Sequence, residues 1–153
     1  MRMEERKVET EKNIVVFEVG GETFGADIWH VQEIILPVKV VPIPKSHPYL
    51  EGVAEIRGEV LPVIDAAKAL GFGEGSGSGG EDRFMIANVL GQKVIFHVDR
   101  VLSILPCPEE ETAGTGELTA SLEGLVTGTL KRDEGIILLL DLEKLVGQIK
   151  QQG

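Results

Sequence analysis

The stretch Gly52–Leu70 reads GVAEIRGEVLPVIDAAKAL, and it sets two apolar runs on either side of Arg57 and Gly58. Short apolar runs that flank a glycine are typical of β-strands joined by a tight turn. Asp65 then stands where a helix cap belongs, and Gly71 stands where a short helix ends. The stretch therefore predicts strand, turn, strand and short helix, with no catalytic partner for Arg57 nearby in the sequence.

Similar apolar runs, bounded by glycine, proline or charged residues, recur along the chain. They are Ile14–Phe17, Phe84–Ala87, Val94–Phe96 and Ile136–Leu140. Their length and their β-branched and aromatic content favour strands. Helical signals are few, and Asp141–Gly147 has the same outline as Asp65–Gly71. We therefore predict a mostly β protein with a few short helices.

The chain contains an internal repeat with an offset of 70 positions. Gly21, Phe24, Ala26, Ile28, Val31, Ile34 and Ile35 correspond to Gly91, Val94, Phe96, Val98, Val101, Ile104 and Leu105. The offset later drifts to 72 and then 76, as loop insertions would produce. The repeat predicts two similar units, about 13–70 and 84–148, each of roughly five short strands. Units this small are not very stable alone, so we expect a shared core or an extensive interface.

Two segments lie outside these units. Residues 1–12 mix both charge signs without an apolar core, which predicts a disordered charged tail. Residues 71–82 are rich in glycine and serine, and Gly75, Gly77 and Gly80 match G-x-G-x-x-G. A dinucleotide loop needs those glycines between a strand and a helix, whereas here they follow a helix end. We interpret this segment as a flexible linker.

Composition excludes several classes of function. The net charge of −10, with no basic stripe, argues against nucleic-acid binding. The longest apolar run is too short to cross a membrane. One cysteine, Cys107, cannot form a disulfide within the chain, which favours a reducing cytoplasm.

Catalytic chemistry has little support in the sequence. His30, His47 and His97 lack metal-ligand spacing, Cys107 has no nearby base, and no nucleophile or phosphate-loop motif occurs. We therefore predict no catalytic residues, no metal and no cofactor. A small acidic enzyme with an unrecognised carboxylate site remains the alternative from a different class.

An apolar stripe is the strongest sign of a binding surface. Ile28, Val31, Ile34 and Ile35 fall in one segment, and the repeat places Val98, Val101, Ile104 and Leu105 in the equivalent one. These residues either fill the core or flank an apolar groove, and such a groove commonly receives an amphipathic helix of a partner.

Three segments together resemble a known family. Val41–Asp65, with the sequence VPIPKSHPYLEGVAEIRGEVLPVID, resembles the signature of the CheW-type chemotaxis coupling proteins. Asp27–Ile34 and His97–Val101 are similar to two further family segments, and the likeness runs from Ile14 to Val146. Glu55-Ile56, Ala66-Ala67 and Phe96-His97 depart from the usual family residues.

The resemblance implies a CheW-like domain over residues 13–148, built as two intertwined five-stranded SH3-like β-barrels with strand exchange between them. It also implies a non-enzymatic adaptor that joins the cytoplasmic tips of methyl-accepting chemoreceptors to the regulatory domain of the histidine kinase CheA. Such a protein is cytoplasmic and reaches the inner face of the membrane only through receptor arrays. A CheW-like regulatory domain of another signalling assembly is the alternative with the same fold.

Carried over to this chain, the resemblance implies a receptor-binding surface and a functionally sensitive arginine, Arg57. The receptor-binding set is Val31, Glu33, Ile34, Arg57, Val101 and Ile104. No residue is assigned to kinase binding.

The environment of Arg57 can be predicted from electrostatics. A buried, unpaired guanidinium would cost several kcal/mol, on the order of the stability of a small domain. Arg57 should therefore emerge at the end of its strand or meet a carboxylate, and Glu33 is the candidate. Gly58 is expected to permit a turn or bulge that aims Arg57 outward, and Pro62 is expected on an edge strand.

Overall fold

The structure, a computed structural model, describes residues 11–72, 80–108, 124–133 and 135–152. Strands dominate these residues and the helices are few, as predicted. The strands are β1 (Glu11–Val19), β2 (Glu22–Asp27), β3 (Val31–Ile35), β4 (Leu50–Ile56), β5 (Glu59–Asp65), β6 (Arg83–Val89), β7 (Gln92–Val98), β8 (Arg100–Pro108), β9 (Val126–Arg132) and β10 (Gly135–Leu140). Within the same described ranges the helices are α1 (Ala66–Ala69) and α2 (Leu142–Gln152), and a 3-10 turn spans Ile28–His30.

Both predicted helix caps are present. The Asp65 carboxylate accepts hydrogen bonds from the backbone N–H groups of Ala67 and Lys68, at 3.0 and 3.3 Å. The Asp141 carboxylate accepts one from the backbone N–H of Lys144, at 3.0 Å. These bonds satisfy N–H groups that the first helical turn leaves free.

The strands form two five-stranded sheets. Sheet A has the order β8-β1-β2-β10-β9, and sheet B has the order β3-β6-β7-β5-β4. Sheet A thus joins two strands from the first half of the chain to three from the second, and sheet B does the reverse. Each sheet is completed by strands that lie far away in the sequence.

Strand pairing follows the internal repeat. Ile34 lies opposite Met85 at one edge of sheet B, and Ile104 lies opposite Val15 at one edge of sheet A. Each of these residues is 70 positions from its equivalent. The outer strands β3 and β8 therefore occupy equivalent places in the two sheets.

Three apolar clusters hold the sheets. The shared core takes residues from both sheets and from α2, including Val15, Phe17, Phe24, Met85, Ala87, Phe96 and Leu145. The sheet B core consists of Ala54, Ile56, Leu61, Val63, Phe84, Ile86 and Ile95. The sheet A core consists of Ile14, Val16, Cys107, Leu130, Ile137 and Leu139. Because side chains alternate along a strand, each sheet buries one face in the shared core and the other in its own core.

The described sheets are open. Among the described residues, no ladder joins β8 to β9 or β3 to β4, so the closed SH3-like barrels are not confirmed.

The prediction that Pro62 lies on an edge strand is wrong, because β5 runs between β4 and β7. Its ladder with β7 begins only at Val63. Toward β4, Pro62 lies opposite Val53, whose backbone N–H and C=O bond to Val41 instead. The missing N–H of Pro62 therefore leaves no ladder bond unmade.

The two predicted flexible segments fall mostly outside the described residues, which omit 1–10 and 73–79. Glu11 and Lys12, predicted to end the tail, instead begin β1 because they pair with Pro108 and Cys107. At the start of the linker, the Phe72 ring lies edge-on to Phe24, at 6.2 Å between ring centroids.

Candidate functional site

The turn between β4 and β5 presents Arg57 at the end of sheet B. The turn consists of Arg57 and Gly58, which have φ angles of +50° and +85°. Positive φ at both positions is the mark of a type I′ hairpin turn, which matches the twist of the strands it joins. Gly58 adopts this conformation without cost, whereas Arg57 does so against the usual preference of residues with a Cβ. The turn carries the guanidinium out of the strand, as predicted.

Arg57 meets Glu33 of β3, the partner predicted from the sequence. The guanidinium donates from Nη2 to Oε1 at 2.5 Å and from Nη1 to Oε2 at 3.2 Å, a two-pronged ion pair. The hydrogen bond from Arg57 lowers the pKa of Glu33, and the same bond raises the pKa of Arg57. Both side chains are well exposed to solvent, so the pair contributes little to stability. The ion pair instead holds the side chains of Arg57 and Glu33 in a defined orientation.

Two ion pairs cover this end of the sheet B core. Besides the Arg57–Glu33 pair, Lys93 of β7 contacts Glu59 of β5 at 3.0 Å. The space between the two pairs and the core is a cavity of about 150 Å³. Its apolar lining is Ile56, Leu61 and Ile86, all members of the sheet B core. The charged side chains therefore cover the sheet B core at this end.

The equivalent end of sheet A is open. A cavity of about 1020 Å³ reaches the sheet A core, and we call it the sheet A cavity. Ser103 and Asp133, at the repeat positions of Glu33 and Arg57, lie on its wall, and they cannot form the same ion pair. Its lining also includes Val16, Leu102, Leu105, Lys131, Arg132, Ile136 and Ile137. This opening combines apolar residues with the acidic Glu22 and Asp133 and the basic Lys131 and Arg132, and it could not be predicted from the resemblance.

The apolar members of the predicted site border the shared core. Val31 and Val101 are half-buried and pack against it. Ile34 and Ile104 lie beside Met85 and Val15 on the same faces, and they are 37% and 56% exposed. We call Val31, Ile34, Val101 and Ile104 the shared-core rim. Each of these two isoleucines thus leaves part of an apolar side chain in contact with water beside the shared core.

The structure divides the six predicted site residues between two faces of the sheets. Glu33 lies opposite Ile86, a sheet B core residue, so its side chain points away from the face that carries Ile34. Arg57 joins Glu33 on that face, while the shared-core rim lies on the other. Alternation along β3 is the reason, because the neighbours Glu33 and Ile34 must point to opposite sides.

Trp29 is an exposed residue that sequence reasoning did not single out. It sits in the 3-10 turn before β3 and is 83% exposed. The Asp27 carboxylate accepts a hydrogen bond from its backbone N–H at 2.9 Å, and Ile28 packs against the shared core. The backbone that carries the indole is therefore held in place. The available sequence signal for this turn was Asp27, because aspartate commonly caps the start of a helical turn.

Metal-binding clusters and membrane-spanning helices are absent from the part of the chain that the structure describes. Within the described ranges, no group of three or more His, Cys, Asp or Glu side chains could hold a metal ion. Cys107 is buried in the sheet A core. None of the described helices is long and apolar enough to span a membrane.

Two five-stranded sheets, related by the internal repeat and packed on a shared core, define the fold class of this chain. The model of the CheW-like domain family matches residues 13–150. The chain therefore belongs to the CheW-like family.

Individual relatives agree with this assignment. The chain is 29% identical over 142 residues to the chemotaxis protein CheW of Thermotoga maritima, covering 91% of this chain and 90% of the relative. It is 30% identical over 143 residues to a probable chemotaxis protein CheW of Rhizobium etli, covering 93% and 92%. The crystal structure of the scaffolding protein TtCheW from Thermoanaerobacter tengcongensis superposes with a TM-score of 0.80 at 34% identity, covering 88% of this chain and 86% of that one.

Proposed function

We propose that this chain is a non-enzymatic adaptor that couples methyl-accepting chemoreceptors to the histidine kinase CheA in bacterial chemotaxis. The observation that carries the proposal is the family match over residues 13–150, together with the likeness to a scaffolding protein over most of both chains. An adaptor of this kind works by assembly, so that a change at one bound partner alters the equilibrium of the other.

The receptor is proposed to bind at the shared-core rim, with Glu33 and Arg57 at its border. The receptor tip is helical, and an amphipathic helix presents its apolar residues along one face. Ile34 and Ile104 offer exposed aliphatic contacts on two outer strands, and the Arg57–Glu33 pair adds a fixed polar feature. The proposed receptor site therefore combines the four residues of the shared-core rim with Glu33 and Arg57, which lie on the opposite face of sheet B.

The kinase is proposed to bind at the sheet A cavity. An adaptor that holds two partners at once needs two surfaces that do not overlap. On β8, Ile104 lies on the face of the shared core, whereas Ser103 and Leu105 line the sheet A cavity on the other face. One strand thus separates the two surfaces, so that a partner in the sheet A cavity would leave the shared-core rim accessible.

We also propose the barrel closure, the intertwined units and the cellular location that the family resemblance implies. Each sheet is proposed to close into a five-stranded SH3-like barrel around its own core, because each buries one face in a cluster separate from the shared core. The repeats 13–70 and 84–148 are proposed to form two intertwined units, with CheA and the receptor as partners at the inner face of the membrane.

Binding of purified partners tests the proposal. The chain is expected to retain both a receptor cytoplasmic fragment and CheA in pull-down experiments at micromolar concentrations. Retention of neither would contradict the adaptor function.

Replacing Arg57 with alanine is expected to weaken receptor binding by roughly tenfold and to leave the fold intact, because the ion pair is exposed. Binding titration of a receptor fragment measures the first effect, and thermal unfolding measures the second. Exchanging the two charges, with Glu33→Arg and Arg57→Glu together, serves as the control that keeps an ion pair. An Arg57→Ala variant that unfolds would instead make Arg57 structural.

Replacing Ile136 with aspartate is expected to weaken CheA binding by at least roughly tenfold, because a carboxylate would enter an apolar part of the interface. Receptor binding should stay unchanged, since Ile136 lies on the wall of the sheet A cavity. The matched control is Leu90→Asp in the exposed turn between β6 and β7. Equal CheA affinity of the Ile136→Asp variant and the native chain would exclude the sheet A cavity as the kinase site.

A further inference from the structure

The His97 ring lies between two carboxylates that come from different parts of the chain. Its Nδ1 is 2.8 Å from Oε1 of Glu51, in the outer strand β4. Its Nε2 is 2.7 Å from Oδ2 of Asp82, in the segment that leads into β6. His97 itself is in β7, near the middle of sheet B. One side chain thus connects three elements of the sheet.

The hydrogen bonding defines the charge of this ring. Carboxylate oxygens only accept hydrogen bonds, so each ring nitrogen must supply a proton. A neutral imidazole has one N–H, whereas the imidazolium has two. The two short contacts are therefore those of a positively charged His97, as expected for charge-assisted hydrogen bonds.

The surroundings of His97 strengthen both bonds. The ring is only 24% exposed, and the edge-on Phe84 ring lies 4.9 Å away between centroids. Burial lowers the pKa of His97, but the hydrogen bonds and charges of Glu51 and Asp82 outweigh it and raise the pKa to about 9.

Other charged side chains around His97 have contacts of their own. Asp65 of β5, whose backbone lies opposite that of His97, caps α1. Asp99, just after β7, accepts from the backbone N–H of Gly20. Arg83 of β6 donates to the backbone carbonyl of Asp82, and Arg100 of β8 pairs with Glu81 at 2.9 Å. Glu51 and Asp82 are thus the two carboxylates bonded to the ring.

We propose that His97 is a pH-sensitive clamp that holds β4 and the segment entering β6 against β7, and that opens when the ring loses its proton. After deprotonation the ring keeps one N–H, so one carboxylate loses its donor. The cation that separated Glu51 from Asp82 is also gone, and the two negative charges repel each other. Because β4 is the outer strand and carries Arg57 at its far end, the clamp also fixes the base of the hairpin that presents Arg57.

The sign of the pH effect follows from linkage. A histidine that binds its proton more tightly in the folded than in the unfolded chain stabilises the fold fully below the ordinary histidine range. That contribution declines as the pH rises above about 6.5 and is lost as it passes about 9. The chain should therefore lose stability between pH 6.5 and 9.

The experiment is a chemical denaturation series from pH 6.5 to 9, together with NMR titration of the histidine ring signals. The unfolding equilibrium constant of the native chain is expected to rise on the order of a hundredfold over this range. The unfolding equilibrium constant of the His97→Gln variant should rise much less over the same pH range. The His97 ring signals should titrate near pH 9, and in Glu51→Gln and Asp82→Asn they should titrate at lower pH.

The matched control is His30→Gln. The ring of His30 is 25% exposed, much like that of His97, but its nearest carboxylate, on Glu143, is 3.8 Å away. This variant should keep the pH dependence of the native chain. Hydrogen exchange at a single neutral pH should also be faster in β4 of His97→Gln than in β4 of His30→Gln.

A His97 signal that titrates at or below pH 6.5, or a native stability that does not change from pH 6.5 to 9, would overturn the clamp. All these readouts use the chain alone. Failure of the clamp therefore leaves the adaptor proposal standing, and failure of partner binding leaves the clamp standing.

Discussion

Replacing Ile34 and Ile104 together with aspartate is expected to abolish measurable binding of a receptor fragment, with a loss in affinity of at least about a hundredfold. Buried apolar anchors near the centre of an interface dominate its binding energy. Two carboxylates would be desolvated without a partner there. Because both isoleucines lie on outer strands and are partly exposed, the fold should persist. Isothermal titration calorimetry with a receptor fragment measures the loss.

The control for this double variant is Leu90→Asp, which also removes an exposed apolar side chain. Leu90 is 51% exposed and has a positive φ angle, which aspartate tolerates. Leu90→Asp should bind the receptor fragment like the native chain, and CheA should bind both Leu90→Asp and the double variant. Native-like receptor affinity of the Ile34→Asp, Ile104→Asp chain would refute the shared-core rim as the receptor surface.

Replacing Gly52 with alanine is expected to destabilise the fold on the order of 3 kcal/mol, through steric overlap and backbone strain. A Cβ at this position would lie 2.2 Å from the carbonyl oxygen of Val41, and the φ angle is +154°. This oxygen is a backbone atom and cannot rotate away as a side chain could. It also takes part in the bridge in which Val41 and Val53 exchange backbone hydrogen bonds of 2.8 and 2.9 Å. Urea unfolding followed by circular dichroism measures the change in free energy.

The Gly58→Ala variant is the control that separates the cost of backbone strain from the cost of steric overlap. Gly58 also has a positive φ angle, but a Cβ there would meet nothing within 4 Å. Its replacement should cost about 1 to 2 kcal/mol, the usual penalty for a left-handed residue with a Cβ. If Gly52→Ala were no more destabilising than Gly58→Ala, close approach of Val41 would not be the reason for the glycine.

Local signals account for what the sequence predicted well. The Arg57–Gly58 turn followed from glycine between two apolar runs, and its pairing with Glu33 followed from the cost of leaving a guanidinium without a partner. The caps at Asp65 and Asp141 followed from side-chain hydrogen bonding within one helical turn. Each of these features depends on a few neighbouring residues or on one strong electrostatic requirement.

Long-range pairing accounts for what the sequence could not predict. Pro62 was expected at an edge, but the place of β5 depends on β7, which lies about thirty residues further along the chain. Alternation along β3 separates Glu33 from Ile34, but which of the two side chains faces the shared core depends on the pairing of β3 with β6. At the sheet A cavity the repeats differ, because Ser103 stands at the position equivalent to Glu33. The carboxylates of Glu51 and Asp82 lie far from His97 in the sequence, and the folding of sheet B brings them to its ring.

Bridging of receptor and kinase is the most direct test of the adaptor function. CheA should sediment with receptor-containing membranes only when this chain is added, and it should stay in the supernatant with the Ile34→Asp, Ile104→Asp variant. Sedimentation of CheA to the same extent with and without the chain would contradict the proposed coupling, as would a chain that binds the receptor and CheA only one at a time.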